Sequence, residues 1–320
     1  MTNLLNLTPW EEVSDPIHLF SRFLLRRNIA RHLFPHKLSS NDLSHLCSMI
    51  PHAEPLQTLS PAERDQLADV FQVPQGLQNI QVGQGFICEY PMLTLINDKN
   101  HLSFYAIAPA SLWSERKKEL LDREKQLSTL FPFAYHPKFG FLTSHIDECG
   151  SGFTYTVDLH LPLLNRLGHL EAALQEELES DVILSSPPGD FISISNRSSL
   201  GYTEEHTLHM VNASLHHLKR AEMSLREHIG EHKEIKDLMA RAFGLLQHSC
   251  QLELREAIDA LSLLMLGVQL GVFTGMSPKE LFALTFLAKR EFLQPDSQED
   301  LLEKRALFFK TKLSLLRPLI

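Results

Sequence analysis

The stretch from His136 to Leu164 constrains the fold of this chain more than any other. It begins with a short apolar segment, Phe139 to Leu142, followed by a polar loop that ends in Gly150-Ser151-Gly152. Apolar and polar residues then alternate from Phe153 to His160. Alternation with a period of two after a glycine turn is typical of a half-buried β-strand. We therefore expect a sheet here, with the loop at its open edge, where ligands bind.

The composition limits the class of protein. The chain has 320 residues, of which 43% are apolar, and this length is enough for about two domains. Its formal net charge of -9 and its pI near 6.0 argue against a dedicated nucleic-acid-binding protein, which usually carries a basic surface. The four cysteines are far apart and form no CxxC pair. Neither a zinc site nor a disulfide framework is therefore expected.

We expect a cytoplasmic protein without a membrane segment. The N-terminal residues contain no basic cluster before Glu11, so a signal peptide is not predicted. The longest apolar run, Ala260 to Met276, is interrupted by Gln269. It is also shorter than the roughly 20 residues that a helix needs to cross a bilayer.

The first half of the chain divides into a proline-rich part and a strand-rich part. We interpret residues 1–75 as irregular and helical, with Ser60-Pro61 starting a short helix. The next segment predicts an antiparallel meander, because short apolar runs are separated by Gly, Pro and Asn-Asp. Its four expected strands are Ile80–Val82, Phe86–Glu89, Met92–Ile96 and Leu102–Ala106.

Helices are expected to flank this sheet and to fill the C-terminal part. Amphipathic patterns predict helices at Ser111–Phe131 and Leu163–Glu179. Strands are expected at Val182–Leu184 and Phe191–Ser195, and Thr203 is the predicted N-cap of a long helix. No strand pattern returns after residue 229. The predicted class is α+β: an antiparallel sheet flanked by helices in domain 1–228, and an all-helical domain in 229–320 for dimerisation or regulation.

Several motifs resemble the ATP:guanido phosphotransferases, and among them the bacterial protein-arginine kinases of the McsB type. In the organising stretch the matching residues are Thr143, Ser144, Gly150, Gly152 and His160-Leu161-Pro162. Ser21, Arg22, Arg27 and Asn28 resemble the nucleotide-binding entry of that family, and Asn97 and His101 keep the frame of its catalytic motif. The segments 241–246 and 266–271 resemble the C-terminal domain peculiar to the protein-arginine kinases.

The resemblance implies an activity and a set of site residues. The family reaction is ATP-dependent phosphorylation of protein arginine side chains, with Mg-ATP as the cofactor of an active member. Nucleotide-binding positions fall on Ser21, Arg22, Arg27 and His101, and no metal site of the protein itself is implied. Other arginine positions of the family hold Leu24, Ser103 and Thr154. The catalytic positions are represented by Asp98, Lys99, Asn100 and His145, with Lys99 in place of the family glutamate and His145 in place of the family cysteine.

These replacements weaken the expected chemistry. Phosphoryl transfer requires cations around the triphosphate and a carboxylate that orients the attacking nitrogen. Lys99 would repel a substrate guanidinium at 4 Å by roughly 4 kcal/mol at an effective dielectric near 20. Arg26 and Arg27 are the nearest cations that could compensate, and the alternative is that both are solvated surface charges. A family loop between Asp181 and Asn196, which carries an arginine and a glutamate, has no counterpart here.

The sequence leaves three hypotheses. The first is a homologue that has lost phosphoryl transfer and serves as a scaffold or regulator. The second is a divergent but active protein-arginine kinase, and the third is a non-catalytic binder of phosphoarginine or of another small molecule. A phosphoarginine pocket is not favoured, because the family's Arg-Asp pair falls on Leu301-Leu302, before Arg305-Ala306. By resemblance we expect a homodimer whose partners are a McsA-like zinc-containing activator and a Clp protease system.

Overall fold

The central feature of the computed structural model is one large antiparallel sheet. The structure describes residues 7–74, 76–177, 181–229, 233–293 and 297–319. The strands of this sheet are β1 (His18–Arg27), β2 (Glu54–Pro55), β3 (Gly85–Glu89), β4 (Met92–Ile96), β5 (Leu102–Pro109), β8 (Phe153–His160), β9 (Val182–Ser185) and β10 (Phe191–Asn196). Their order across the sheet is β2-β3-β4-β5-β1-β8-β10-β9. Two further strands, β6 (Tyr135–His136) and β7 (Gly140–Phe141), form a separate hairpin.

The centre of the sheet is β1, which corrects the expectation that residues 1–75 are irregular and helical. β1 pairs with β5 on one side and with β8 on the other. Eight of its ten residues are buried, because helices cover both faces of the sheet. A strand buried on both faces has no clear alternation in its sequence, so its pattern does not distinguish it from a buried helix. The remainder of this part is helical, as expected, including the capping box at Ser60.

Helices form layers on both sides of the sheet. Their bounds are α1 (Ser40–Met49), α2 (Pro61–Phe71), α3 (Trp113–Ser128), α4 (Pro162–Arg166), α5 (Leu170–Glu177), α6 (Glu204–Glu227), α7 (Lys233–His248), α8 (Leu254–Gln269), α9 (Pro278–Leu287), α10 (Arg290–Leu293) and α11 (Gln298–Lys312). One face of the sheet shares a core with α3 and α6, in which Phe153, Tyr155 and Leu215 are buried. The opposite face shares a core with α2, α8 and α9, in which Leu24, Leu67 and Leu264 are buried.

Most other predicted elements are confirmed, and two are corrected. Residues 80–82 are not a strand but follow a bend before Gly83, which lies against α1. The predicted helix Leu163–Glu179 is broken into α4 and α5 at Gly168, whose φ is 72°. The predicted end of that helix at Glu179 lies outside the described residues. Thr203 caps α6 as expected, because its side chain accepts a hydrogen bond from the His206 N–H at 3.2 Å.

The C-terminal part is helical except for one small ladder. Strand β11 (Phe273–Thr274) pairs with β12 (Arg317–Pro318), which corrects the expectation that no strand follows residue 229. The division into 1–228 and 229–320 stays a prediction, since helices from beyond residue 229 share a core with the sheet. Within the described ranges every helix is too short or too polar to span a membrane.

A buried polar contact ties β8 to α8. His160 at the end of β8 lies 2.9 Å from the Ser262 hydroxyl, measured from Nε2 to Oγ. The Ser262 hydroxyl also donates to Asp190. Burial lowers the pKa of His160 to about 3, because charging the ring inside the core would cost solvation free energy. The matching His-Leu-Pro motif therefore has a structural role in joining the sheet to the C-terminal helices.

Candidate functional site on the arginine face of the sheet

The strand register collects the family arginine positions on one face of the sheet. Arg22, Leu24 and Arg26 alternate along β1 and share a face, because successive strand residues point to opposite sides. In the antiparallel register Thr154 is the partner of Leu24, and Ser103 is the partner of Arg26. We call this side, which carries Arg22, Leu24 and Arg26, the arginine face. It is the face covered in part by α2, α8 and α9.

Arg22 is neutralised by a carboxylate of the neighbouring strand. Its Nη2 forms an ion pair with the Oδ1 atom of Asp158. The Ser193 hydroxyl donates to the same oxygen at 2.6 Å and accepts from Arg22 Nη2 at 3.5 Å. The Arg22 and Asp158 side chains are 14% and 18% exposed, so little water competes for this pair. Asp158 was not singled out from the sequence, although its place in the alternating strand puts it on this face.

Arg26 is held by a second carboxylate, at the other end of β1. Its Nη1 donates to the Thr154 hydroxyl at 2.8 Å, and its Nε lies 3.3 Å from Glu148 Oε2. The expectation that Arg26 is a solvated charge is wrong, since its side chain is only 12% exposed. Glu148 belongs to the loop of the organising stretch. That loop therefore reaches the end of the arginine face beside the central strands β1 and β8, whereas the sequence predicted it at the open edge of the sheet.

Asp98 and Lys99 lie near this second pair. They belong to the turn between β4 and β5. Burial raises the pKa of Asp98, while the Lys99 backbone N–H and the charges of Lys99 and Arg26 act in the opposite direction. Glu148 adds a further repulsion that raises the pKa of Asp98. Two carboxylates and two cations therefore lie together at this end of the arginine face: Asp98, Glu148, Lys99 and Arg26.

Three residues that the resemblance assigned to nucleotide binding make polar contacts with other parts of the protein. Ser21 points to the opposite face, where it lies 3.2 Å from the Tyr155 hydroxyl. Arg27 shares that side and donates to Glu124 and to two backbone carbonyls, each at 2.8 Å, with its guanidinium 3.7 Å from the Phe141 ring centre. His101 is fully buried and accepts the Ile29 N–H at Nδ1. The Ser21 hydroxyl, the Arg27 guanidinium and the Nδ1 atom of His101 thus bind the protein itself, while Nε2 of His101 is buried without a hydrogen-bond partner. The assignment of these residues to the nucleotide stays a prediction.

A buried amide network joins three loops at the end of the arginine face. The Asn28 amide donates to Asn100 Oδ1 at 2.8 Å, and the Ser144 N–H donates to the same oxygen at 2.9 Å. The Asn28 Oδ1 atom accepts the His101 N–H at 2.9 Å. Asn100 is therefore a scaffold residue that fixes the β4–β5 turn against the loop after β1.

His145, at the position of the family cysteine, is exposed and is not a buried reactive group. Its side chain is exposed, and its backbone oxygen accepts from the Thr143 hydroxyl at 2.7 Å. Cys149 is buried against the same threonine, with its Sγ 3.5 Å from the hydroxyl. No group of three metal-ligating side chains occurs within the residues that the structure describes. The loop thus presents an exposed imidazole without a partner set for metal chemistry.

The position matching the family's phosphoarginine motif is also engaged internally. Arg305 in α11 is buried and donates to the carbonyls of Ala288 and Leu252, each at 2.9 Å. Leu301, one turn earlier, is 4% exposed and belongs to the interior. These contacts use the guanidinium to join α11 to the end of α9 and to the segment before α8.

A cavity of about 310 Å³ adjoins Arg22 between the sheet and the C-terminal helices. Its walls are mostly apolar, with Phe20 and Phe191 from the sheet and Ile258 and Phe282 from α8 and α9. Arg22, Asp158 and Ser193 provide its polar side. The volume and the mixture of apolar walls with a few polar groups are typical of small-molecule pockets.

Superposition on solved structures shows the class of fold. The substrate-free duplicated taurocyamine kinase from Schistosoma mansoni superposes with a TM-score of 0.57 at 18% identity, over 71% of this chain and 36% of that duplicated chain. Lombricine kinase superposes with a TM-score of 0.53 at 16% identity, over 70% of each chain. At these identities the likeness concerns the fold alone. The chain therefore has the fold of the guanidino kinases, an antiparallel sheet flanked by helices.

Sequence relatives then identify the family. Residues 47–225 match the ATP:guanido phosphotransferase C-terminal catalytic domain, and residues 232–314 match the protein-arginine kinase McsB C-terminal domain. A protein-arginine kinase from Chlamydia pneumoniae is 31% identical over 271 residues, which cover 78% of this chain and 76% of that protein. One from Halothermothrix orenii is 24% identical over 340 residues, 97% of each chain. The chain belongs to the ATP:guanido phosphotransferase family and, within it, to the protein-arginine kinases.

Proposed function

We propose that this chain is a protein-arginine kinase homologue that has lost phosphoryl transfer and acts as a scaffold or regulator. One observation carries the proposal. Both arginines that β1 places on the arginine face are neutralised by carboxylates of the same chain, Arg22 by Asp158 and Arg26 by Glu148. A site that binds a triphosphate needs free cations, and here both the family arginine, Arg22, and its nearest substitute, Arg26, are already paired.

Mg-ATP does not fit this donor set. Each charge-assisted hydrogen bond to a phosphate contributes on the order of 1.5 to 3 kcal/mol. Binding here would first break two ion pairs and would leave Asp158 and Glu148 facing the phosphates. A carboxylate 4 Å from a phosphate charge is repelled by roughly 4 kcal/mol at an effective dielectric near 20. The internal ion pairs therefore oppose nucleotide binding in two ways: they must be broken, and their carboxylates then repel the phosphates.

The residues near the catalytic position support the same proposal. A base for the arginine guanidinium must be an ionised carboxylate within hydrogen-bonding distance of the attacking nitrogen. Lys99 occupies the family glutamate position, and Asp98 beside it has a raised pKa and already interacts with Lys99 and Arg26. The substrate guanidinium would enter a region that already holds two cations.

The biological setting belongs to this proposal and rests on the resemblance. We infer a cytoplasmic homodimer that binds a zinc-containing activator of the McsA type and the Clp protease system. The fold keeps both the sheet region and the C-terminal helices. A homologue that retains both could bind the same kinds of partner without transferring phosphate.

Calorimetric titration of the whole chain with Mg-ATP tests the proposal. We expect no binding heat, no upward shift in melting temperature, and no acid-labile phosphate on a protein substrate. The Chlamydia pneumoniae relative, named a protein-arginine kinase, serves as the comparison under the same conditions. Saturable Mg-ATP binding that disappears in Arg22→Ala, together with acid-labile phosphate on the substrate, would establish the divergent active kinase instead.

A second candidate function, a non-catalytic small-molecule binder, is favoured by the cavity beside Arg22. Its volume of about 310 Å³ suits a small organic ligand. Titration with free phosphoarginine and with free arginine, followed by melting temperature, distinguishes this function from the first. A shift that is lost in Ile258→Trp, which fills the cavity, would support the binder. No shift with either compound would leave the scaffold as the better proposal.

A further inference from the structure

The two longest segments of this acidic chain without an acidic residue are separated by more than 80 residues in the sequence. Over the whole sequence Asp and Glu outnumber Lys and Arg, 39 to 30. Residues 16–41 and 125–146 nevertheless contain neither Asp nor Glu. Such a separation of charge along a sequence becomes meaningful when the segments meet in the folded protein.

The structure places the two segments side by side. Ile29 forms an isolated antiparallel bridge with Phe133. The Ala30 N–H donates to the Pro132 carbonyl at 2.8 Å, and the Ala134 N–H donates to the Asn28 carbonyl at 2.7 Å. We call the surface formed by residues 31–37 and 130–146 the basic corner.

The cations of the basic corner are available to a partner. Arg31, Lys37 and Lys138 are exposed. Four exposed imidazoles accompany them, those of His32, His36, His136 and His145. Neighbouring carboxylates are Asp42, which interacts electrostatically with His32, the exposed Asp147, and Glu148, which is paired with Arg26. The basic corner thus carries a local excess of positive charge on a protein whose net charge is -9.

The basic corner also exposes large apolar side chains. Those that are exposed by 36 to 64% are Leu33, Leu130, Tyr135, Phe139 and Ile146. Protein interfaces are enriched in aromatic residues, and a cluster of exposed apolar side chains usually marks a binding surface. Charge and apolar area therefore occur together on this one surface.

The β6–β7 hairpin presents part of this surface in a fixed geometry. The Leu142 N–H donates to the Ala134 carbonyl and the Phe141 N–H to the Gly150 carbonyl, each at 2.9 Å. Gly140 packs so closely on Gly150 that an added Cβ would come within 2.7 Å of it. A surface fixed in advance loses less conformational entropy when it binds.

We propose that the basic corner binds an acidic segment of a partner protein that also carries apolar side chains. The inference rests on the proposed scaffold role, but it does not depend on the loss of phosphoryl transfer. A protein segment fits better than a nucleic acid for two reasons. The net charge of -9 repels a polyanion. Tyr135 and Phe139 have rings that can stack on bases, but the other three exposed apolar side chains, Leu33, Leu130 and Ile146, are aliphatic and suit the apolar side chains of a peptide.

Fluorescence anisotropy with a labelled synthetic peptide tests this inference on the full chain. The probe peptide alternates glutamate with leucine and phenylalanine. Comparison peptides replace either all its glutamates by lysine or all its apolar residues by serine, and a uridine oligonucleotide of the same length serves as the nucleic-acid probe. We expect saturable binding of the probe peptide that weakens with added salt, because exposed charge pairs are screened. Both comparison peptides and the oligonucleotide should bind more weakly.

Variants locate the binding surface. The double variant Lys37→Glu with Lys138→Glu should weaken peptide binding at least about fivefold, because charge reversal converts attraction into repulsion. Ile146→Ser should weaken it about threefold through lost apolar contact. The matched controls are Lys312→Glu and Leu307→Ser; Lys312 is exposed at the end of α11, and Leu307 is 64% exposed, the same fraction as Ile146. They should change the affinity less than twofold.

Three results would overturn the inference: no binding of the probe peptide, equal binding by the charge-reversed double variant, or tighter binding of the oligonucleotide. Melting temperatures of all four variants confirm that each is folded. The corner substitutions leave the Arg22–Asp158 and Arg26–Glu148 pairs in place. A Mg-ATP titration of the same proteins therefore reports separately on whether the loss of phosphoryl transfer holds.

Discussion

Arg26 of the central strand reaches Glu148 of the loop before β8, with Nε and Oε2 3.3 Å apart. The Thr154 hydroxyl, at a position where the family has an arginine, accepts from the same guanidinium at 2.8 Å. An internal carboxylate therefore neutralises this cation of the arginine face, and a hydroxyl accepts one of its hydrogen bonds. Arg22 and Asp158 repeat this relationship at the other end of the face.

Removing both carboxylate charges should create an anion site. In the double variant Glu148→Gln with Asp158→Asn, the two guanidinium groups lose their ionic partners but keep neutral acceptors of similar shape. We expect tripolyphosphate to bind the double variant at least about tenfold more tightly than the unaltered chain, since one charge-assisted hydrogen bond contributes 1.5 to 3 kcal/mol. Calorimetric titration measures the gain. Glu303→Gln, an exposed position on α11, is the control, and equal affinities for all three proteins would refute the internal neutralisation.

Arg27 should prove necessary for stability. Its planar guanidinium donates to Glu124 and to the carbonyls of Arg26 and Ser151 while it stacks on Phe141. Lysine cannot reproduce these contacts, because an ammonium has no planar fork of donors. We expect Arg27→Lys to lower the free energy of unfolding by about 2 to 4 kcal/mol, by the loss of several buried hydrogen bonds. Arg241→Lys changes an arginine that is 76% exposed and should cost less than about 0.5 kcal/mol. Chemical denaturation compares the two variants, and similar losses would contradict the structural role of Arg27.

The sequence predicts the outer parts of the sheet well because their patterns are local. In β8 the alternation of Phe153, Tyr155 and Val157 with threonines shows directly which face is buried. The central strand β1 was missed because both of its faces are buried, so Leu and Phe occur without a period of two. The sequence of a strand that is buried on both faces does not show which elements cover each face.

For the candidate site, the sequence predicted which residues belong to it but not which groups pair with them. The resemblance assigned Arg22, Leu24, Ser103 and Thr154 to arginine positions of the family, but only the strand register of the structure brings the four to one face. The partners of the arginines were not predictable, because Glu148 and Asp158 meet them through long-range pairing of strand and loop. Arg27, adjacent to Arg26 in sequence, points to the other face. Its role depends on Glu124 of α3, which no local pattern connects to it.

Buried histidines should make the chain sensitive to acid. Burial lowers the pKa of His101 to about 4 from the ordinary 6.5, while its Nδ1 accepts the Ile29 N–H. Below pH 6.5 the unfolded chain binds a proton that the folded chain does not, so the stabilisation present above pH 6.5 is lost as the pH falls toward 4. His18 and His160 act in the same direction, because burial also lowers their pKa values. Asp98, Glu204 and Glu222 act in the opposite direction, since burial raises theirs.

The variant His101→Asn isolates this effect from the other groups. Asparagine keeps an acceptor near Nδ1 but cannot take up a proton in this pH range. Between pH 7 and pH 4.5 the free energy of unfolding of the unaltered chain should fall relative to that of the variant by about 2 kcal/mol, the value for one proton held out over nearly two pH units. Urea denaturation at several pH values measures the difference. Parallel pH profiles would mean that His101 is not kept neutral by burial.

Two glycines give a matched pair that tests the packing of the organising loop. Gly150 has a φ of 94°, and a Cβ there would lie 2.4 Å from the Ser199 carbonyl oxygen. Gly150→Ala must therefore move backbone and adopt a left-handed conformation, and we expect it to destabilise the fold by about 2 kcal/mol or more. Gly244 lies inside α7 with nothing within 4 Å of an added Cβ. Gly244→Ala should stabilise the chain by about 0.5 to 1 kcal/mol through helix propensity. Opposite shifts in thermal unfolding temperature are the expected result, and a neutral Gly150→Ala would show that the loop does not pack on residue 199 as described.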